Sequence, residues 1–168
     1  MFKSTIVFVI PLFAITSCNN EASQKITTFI LVRHAEKAND GTEDPDLNPE
    51  GVQRSKRLAM HLNETDIQAI YATEYKRTRN TVAPLASAKH LEIQLYEAHK
   101  EEEIVNMIEK HRGGTVVICG HSNNIPWTAN LLTGKEQLKD YAETEYSILL
   151  IISVVEKGKV AKVVRMDW

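Results

Sequence analysis

Apolar residues in this chain fall into short runs, separated by longer stretches in which they recur every three or four positions. Thr27–Val32 and Thr115–Gly120 are rich in β-branched residues and bounded by turn formers, so each predicts a buried strand. Ile67–Ala72 and Leu91–Tyr96 predict two more, the second alternating apolar with polar. Asn48-Pro49-Glu50 is a helix start: a capping side chain, proline at the first helical position, then an acid in the first turn. Val52, Leu58, Ala59 and Leu62 form the inward stripe of that helix. A second helix is predicted over 76–89, with Val82, Leu85 and Ala86 facing inward and Pro84 inside it. A third covers 101–111, burying Ile104, Val105 and Ile108 and ending at Gly113-Gly114, and a fourth runs from Pro126 to about Leu132. Tyr146–Val155 and Lys159–Met166 predict two strands joined by the turn Glu156-Lys157-Gly158. This alternation gives an α/β fold: a three-layer sandwich with a mainly parallel sheet flanked by helices, ending in an antiparallel hairpin. No internal repeat or second domain stands out.

The first residues follow another pattern. Lys3 supplies a positive charge, Thr5–Ile15 is almost wholly apolar, and Ile15-Thr16-Ser17-Cys18 has the form of a lipoprotein cleavage box. The apolar run is too short to span a bilayer as a helix. Residues 1–17 are therefore expected to be a lipoprotein signal peptide, 18–25 a polar tether lipidated on Cys18, and 26–168 the folded domain. That places the chain in a bacterial cell envelope, lipid-anchored on the periplasmic face of the outer membrane. The formal charge of −2, or −3 without Lys3, does not recommend nucleic acid as a partner. With Cys18 lipidated, Cys119 is the other cysteine of the chain; it reads as a small buried hydrophobe, and no internal disulfide can form.

The four early strands each release polar groups at their C-terminal ends: Arg33 and His34 from the first, Thr73 and then Arg77 from the second, Glu97 from the third, and His121, Ser122 and Asn123 from the fourth. In an open α/β sheet, ligands bind just beyond that edge. Two guanidiniums suit a tetrahedral oxyanion, because their rigid donor forks hold its oxygens bidentately. A neutral imidazole can attack phosphorus, and a nearby acid can protonate the departing alcohol. Glu97 is placed to be that acid, with Glu101, Glu102 and Glu103 close behind. Arg79 competes with Arg77, but the spacing to Thr81 favours Arg77. His61, His90, His99 and His111 read as structural.

Leu31-Val32-Arg33-His34-Ala35-Glu36-Lys37 resembles the signature of the histidine phosphatase superfamily, also called the phosphoglycerate-mutase-like family. Tyr71–Thr81 resembles its second, arginine-bearing motif, Val117–Asn123 its third, and Asp46–Gln53 its first helix entry. Ala35 stands where larger members carry glycine, and Thr73 where serine is usual. The resemblance implies a phosphatase that cleaves phosphomonoesters without metal or cofactor, through a phosphohistidine on His34. Arg33, Arg77, His121 and Asn123 would hold the phosphoryl oxygens, with His121 and Glu97 completing the catalytic set. The expected partners are a small phosphorylated substrate or a phosphoprotein, and the membrane through the N-terminal lipid. Two rivals compete: a phosphate-ligand binding protein of the same fold, and a serine hydrolase using Ser122. Against the second, Asn124 stands where a nucleophile elbow needs glycine, and no histidine follows His121.

Overall fold

The computed structural model describes residues 25–168; the expected signal peptide and residues 18–24 of the expected tether lie outside the described residues. Six strands form one sheet in the order β3-β2-β4-β1-β5-β6. They are β1 (Thr27–Arg33), β2 (Ala69–Ala72), β3 (Ile93–Leu95), β4 (Thr115–Gly120), β5 (Ile148–Glu156) and β6 (Lys159–Asp167). The first four run parallel, β5 is antiparallel to β1, and β5 and β6 form the terminal hairpin.

Alternate residues of the central strands feed two cores. Phe29, Leu31, Tyr71 and Ile118 face α3 (Glu101–Lys110) and α4 (Asn124–Thr133). Ile30, Val32, Ile70, Val117 and Cys119 face α1 (Pro49–His61) and α2 (Lys76–Lys89). Burial on both faces explains why these strands read as unbroken apolar runs. Each such side chain contributes roughly 1.5–3 kcal/mol when fully buried. Cys119 packs among them as the small hydrophobe expected, and burial pushes its thiol pKa up.

The inward face of α1 differs from the expected stripe. Leu58 and Leu62 are buried as expected and Ala59 packs against them, but Val52 is exposed and Gly51 and Ser55 face the core in its place. Gly51 is pressed against the backbone after β1, where an added Cβ would lie 2.2 Å from the Glu36 carbonyl oxygen. A helix this close turns its next residue about 100° away, toward solvent. In α3, Met107 takes the buried place expected of Val105. β2 and β3 are shorter than their apolar runs: Ile67 is buried but precedes the pairing that starts at Ala69. Conversely, α4 starts two residues before Pro126, within the first turn where proline's missing N–H costs nothing.

Register then builds an edge. Val32 pairs with Cys119, Cys119 with Ala72, and Ala72 with Leu95, so four residues stand in one row across the parallel strands. The residues that follow leave the sheet side by side. After β1 the chain passes to α1 on one face, and after β4 to α4 on the other. A crevice opens between adjacent strands whose connections diverge, and this is where α/β sheets bind ligands.

Candidate active site

His34 and His121 stand on either side of this crevice, their rings 5.4 Å apart and edge to face. His34 is only 4 % exposed. Its Nδ1 lies 2.8 Å from the Ala35 carbonyl oxygen, which can only accept, so Nδ1 carries the hydrogen and Nε2 keeps the lone pair. Thr81 on α2 fixes the turn: its hydroxyl accepts from the Ala35 N–H and donates to the Arg77 carbonyl. Burial, with His121, Arg33 and Arg77 close by, pushes the His34 pKa down to about 3 despite the opposing backbone bond. Burial, Arg77 and Arg33 take His121 down to about 4. Both imidazoles are therefore neutral near pH 7.

A chain of hydroxyls sets the second ring. Thr78 gives its hydrogen to the Thr73 or Tyr75 carbonyl, and Thr73 gives its own to the Thr78 hydroxyl, 3.0 Å away. Thr73 can then only accept from His121 Nε2 at 2.9 Å, which leaves the lone pair of the neutral ring on Nδ1. Asn124 holds the same turn from below. Its fully buried side chain accepts from the His121 N–H and donates to the Tyr96 hydroxyl. That use of Asn124 explains why Gly120 precedes His121, since a Cβ there would meet Asn124 and Tyr96 at 2.3–2.8 Å.

Arg33 is 1 % exposed, and its Nη1 donates to the carbonyls of Ala142 and Glu145 at 2.6 and 3.1 Å. Its guanidinium lies over the Tyr146 ring, 4.3 Å from the centroid. Arg77 is 15 % exposed and stacks on Tyr75 at 4.4 Å, with Asp44 3.7 Å from its Nη1. Asp44 also accepts from the Lys76 N–H, capping a helix that has no side-chain cap of its own. The buried Nε–H of each arginine has no partner in the protein. Arg79, the competing candidate, is exposed on the outside of α2.

The histidines open onto a cleft of about 940 Å³, whose walls include Arg77, Glu97, Ser122 and Asn123. Glu97 is 68 % exposed and pairs with Lys100 at 2.6 Å, while its N–H donates to the Glu103 carboxylate. Of its neighbours, Glu103 lines the cleft, whereas Glu101 turns away to Lys157. Among the described residues, no hydrogen bond joins the Ser122 hydroxyl to a histidine. No group of three or more histidine, cysteine, aspartate or glutamate side chains among them is arranged to hold a metal ion.

One histidine departs from its expected role. His99 lines the cleft and packs edge to face against Trp127, so it is a wall of the site. His111 bonds the Tyr71 hydroxyl, His90 ends α2, and His61 sits exposed in the last turn of α1, as structural residues would. Sequence reading missed Lys37, Tyr75 and Glu143 in the wall, and Asn124 and Thr81 behind it. The Thr78–Thr81 spacing was the available signal for these hydroxyls, because it places both on one face of α2.

The geometry defines an α/β protein with an arginine-flanked cleft beside two neutral imidazoles. Comparison narrows the class. The family description "Histidine phosphatase superfamily (branch 1)" matches residues 29–107. Phosphoserine phosphatase 1 of Hydrogenobacter thermophilus is 37 % identical over 85 residues, covering 47 % of this chain and 38 % of that protein. The match thus spans well under half the length of that relative. Among solved structures, a mycobacterial glucosyl-3-phosphoglycerate phosphatase superposes with TM-score 0.66 at 12 % identity, covering 86 % of this chain and 99 % of the other. The protein histidine phosphatase SixA, complexed with tungstate, gives 0.67 at 13 % identity over 83 % and 96 %. These structures establish the fold. The family and sequence matches make the first part of the folded domain similar to histidine phosphatases.

Burying neutral imidazoles ties stability to pH. The native pKa values of His34 and His121, about 3 and about 4, lie below the 6.5 of free histidine. Between 6.5 and those values the unfolded chain binds protons that the folded site refuses. Stability should be fully present above pH 6.5 and fall on acidification, each histidine adding a slope approaching roughly 1.4 kcal/mol per pH unit. His111, also lowered by burial, acts in the same direction. Urea unfolding between about pH 7 and pH 5 should show this loss, and His34→Gln and His121→Gln should each flatten it. An unchanged slope in both variants would show that the rings are not held neutral by the fold.

Proposed function

We propose that this chain hydrolyses phosphomonoesters through a phosphohistidine formed on Nε2 of His34. The observation that carries the reading is the pairing of a neutral imidazole, its lone pair fixed on Nε2, with two buried arginines whose Nε–H groups have no partner in the protein. A phosphoryl dianion bound by Arg33 and Arg77 satisfies those donors, and Asn123 and His121 flank it. Its charge favours protonation of His121 on the free Nδ1, giving one more donor to a phosphoryl oxygen. The lone pair of His34 Nε2 then forms the N–P bond as the P–O bond to the alcohol breaks. Glu97 gives its proton to the departing oxygen, and a water that loses its proton to Glu97 afterwards splits the phosphohistidine to phosphate. The arginines supply the positive charge that this transfer demands, so no metal is needed. The rival readings have less support: Ser122 lacks a base, and a mere binder has no use for a nucleophile fixed in one tautomer.

The decisive experiment is rapid quenching with a phosphate-labelled substrate in EDTA. Alkaline quench should trap label on His34 and acid quench should lose it, because phosphoramidates are acid-labile, and His34→Ala should abolish both label and turnover. Label on Ser122, or activity that needs an added divalent ion, overturns the reading. The acid is tested by leaving group. Glu97→Gln should slow an alkyl phosphate by roughly 10²–10⁴-fold and an activated aryl phosphate far less, because an aryl oxide departs unprotonated. Equal losses on both would make Glu97 a positioning residue.

We also propose that residues 1–17 are removed and that the domain is held at the bacterial envelope through lipid on Cys18, on the strength of the charge, apolar run and cleavage box. Cys18→Ala should move a normally folded domain from the membrane fraction to the soluble one; an unchanged distribution would refute the anchor.

A further inference from the structure

Arg54 shows what a filled guanidinium fork looks like: its Nε and Nη2 both donate to the Glu36 carboxylate, at 2.8 and 2.5 Å. Arg33 presents the same edge half filled. Its Nη2 donates to Glu143 Oε2 at 3.3 Å, while its buried Nε has no partner. Glu143 is 71 % exposed, belongs to the cleft wall and lies 3.9 Å from Lys37 Nζ. One solvent-facing carboxylate therefore engages both Arg33 and Lys37. Glu74, Glu97 and Glu103 line the same cleft, in which Lys37 and Arg77 are the lysine and arginine of the wall. Once a phosphoryl group takes the two arginines, the room left for the alcohol part holds Lys37 against the carboxylates of Glu74, Glu103 and Glu143, with Glu97 as the acid beside them.

Building on the phosphatase reading of this site, we infer that Glu143 is a specificity-determining residue. It directs the cleft toward phosphomonoesters whose alcohol part is neutral or cationic, and against those carrying a second anion such as a carboxylate. A second anion finds Lys37 already engaged by Glu143 and meets like charge along the cleft wall. An ammonium group finds acceptors there instead. The phosphoryl group displaces Glu143 from Arg33 Nη2, and the released carboxylate then faces the alcohol part.

The test is competition against aryl phosphate turnover by the intact chain, with O-phosphoethanolamine, glycerol 1-phosphate and 3-phosphoglycerate as competitors. The carboxylate-bearing 3-phosphoglycerate should inhibit at least about tenfold more weakly than glycerol 1-phosphate, and O-phosphoethanolamine at least as strongly. Glu143→Gln should shrink the carboxylate penalty severalfold, and Glu143→Asp should retain it. Equal inhibition by all three compounds, or a penalty that Glu143→Gln leaves unmoved, overturns the inference. No aryl phosphate turnover by the folded chain would instead overturn the phosphatase reading, and the inference with it.

Discussion

The parallel pairing of β1 with β4 is the constraint on which the site rests. Arg33 stands opposite Gly120, so His34 and His121 leave neighbouring strands at the same height and meet at 5.4 Å. A slip of one residue would exchange the two faces of a strand and bring residues of the wrong core to each side. Because both faces are filled, from Phe29 and Leu31 on one side to Ile30 and Val32 on the other, the core itself enforces the register. Packing that belongs to the fold thus sets the position of His34. The diverging connections add the remaining requirement, an opening above those two strand ends with α2 and α4 as its flanks.

Inside that frame, hydrogen bonding decides which atom of each ring is available. Hydroxyls of Thr73, Thr78 and Thr81 and the amide of Asn124 are each spent on a named partner, and each removes one freedom from a histidine or its turn. Short polar side chains suit the task because they are buried at little cost once every donor is matched. The same chain ties α2 to the end of β1, so the arginine on α2 and the histidine after β1 are positioned by one continuous network. Asp44 extends it to the loop before α1 by capping α2.

Much of this was legible in the sequence for a definite reason. Strand ends carry their chemistry as adjacent residues, so Arg33-His34 and Gly120-His121 show together what the sheet brings together, and the alternation of elements gives the fold. Face assignment within α1 was less legible. Hydrophobicity pointed to Val52, but the close approach at Gly51 and Glu36 decides the rotation of the helix, and contact distance leaves no mark in an apolar pattern. The cleft wall was least legible. Lys37, His99 and Glu143 come from three distant loops, and nothing local distinguishes a charged loop residue that faces a cleft from one that faces solvent. Arg77 could be preferred to Arg79 only because helical spacing to Thr81 selects a face.

Arg33 and Arg54 show how one chain uses the same side chain in two ways. Arg54 gives its full fork to Glu36 and a further N–H to the Trp168 carbonyl, closing the C-terminus against α1. That arrangement neutralises the charge and leaves nothing for a ligand. Arg33 is more deeply buried, yet its surroundings offer partial charges: two carbonyl oxygens and the face of Tyr146. Partial charges make burial of a guanidinium tolerable without satisfying it. The exposed Glu143 touches only one of the two donors on the Nε–Nη2 edge of Arg33. The uncompensated positive charge that results also helps keep His34 and His121 unprotonated. Burial is the larger cause of that neutral state, and the positive charge beside the rings adds to it, so the fold sets the protonation of His34 before any anion arrives. A complete ion pair at Arg33 would weaken the electrostatic part of that effect and leave the part due to burial.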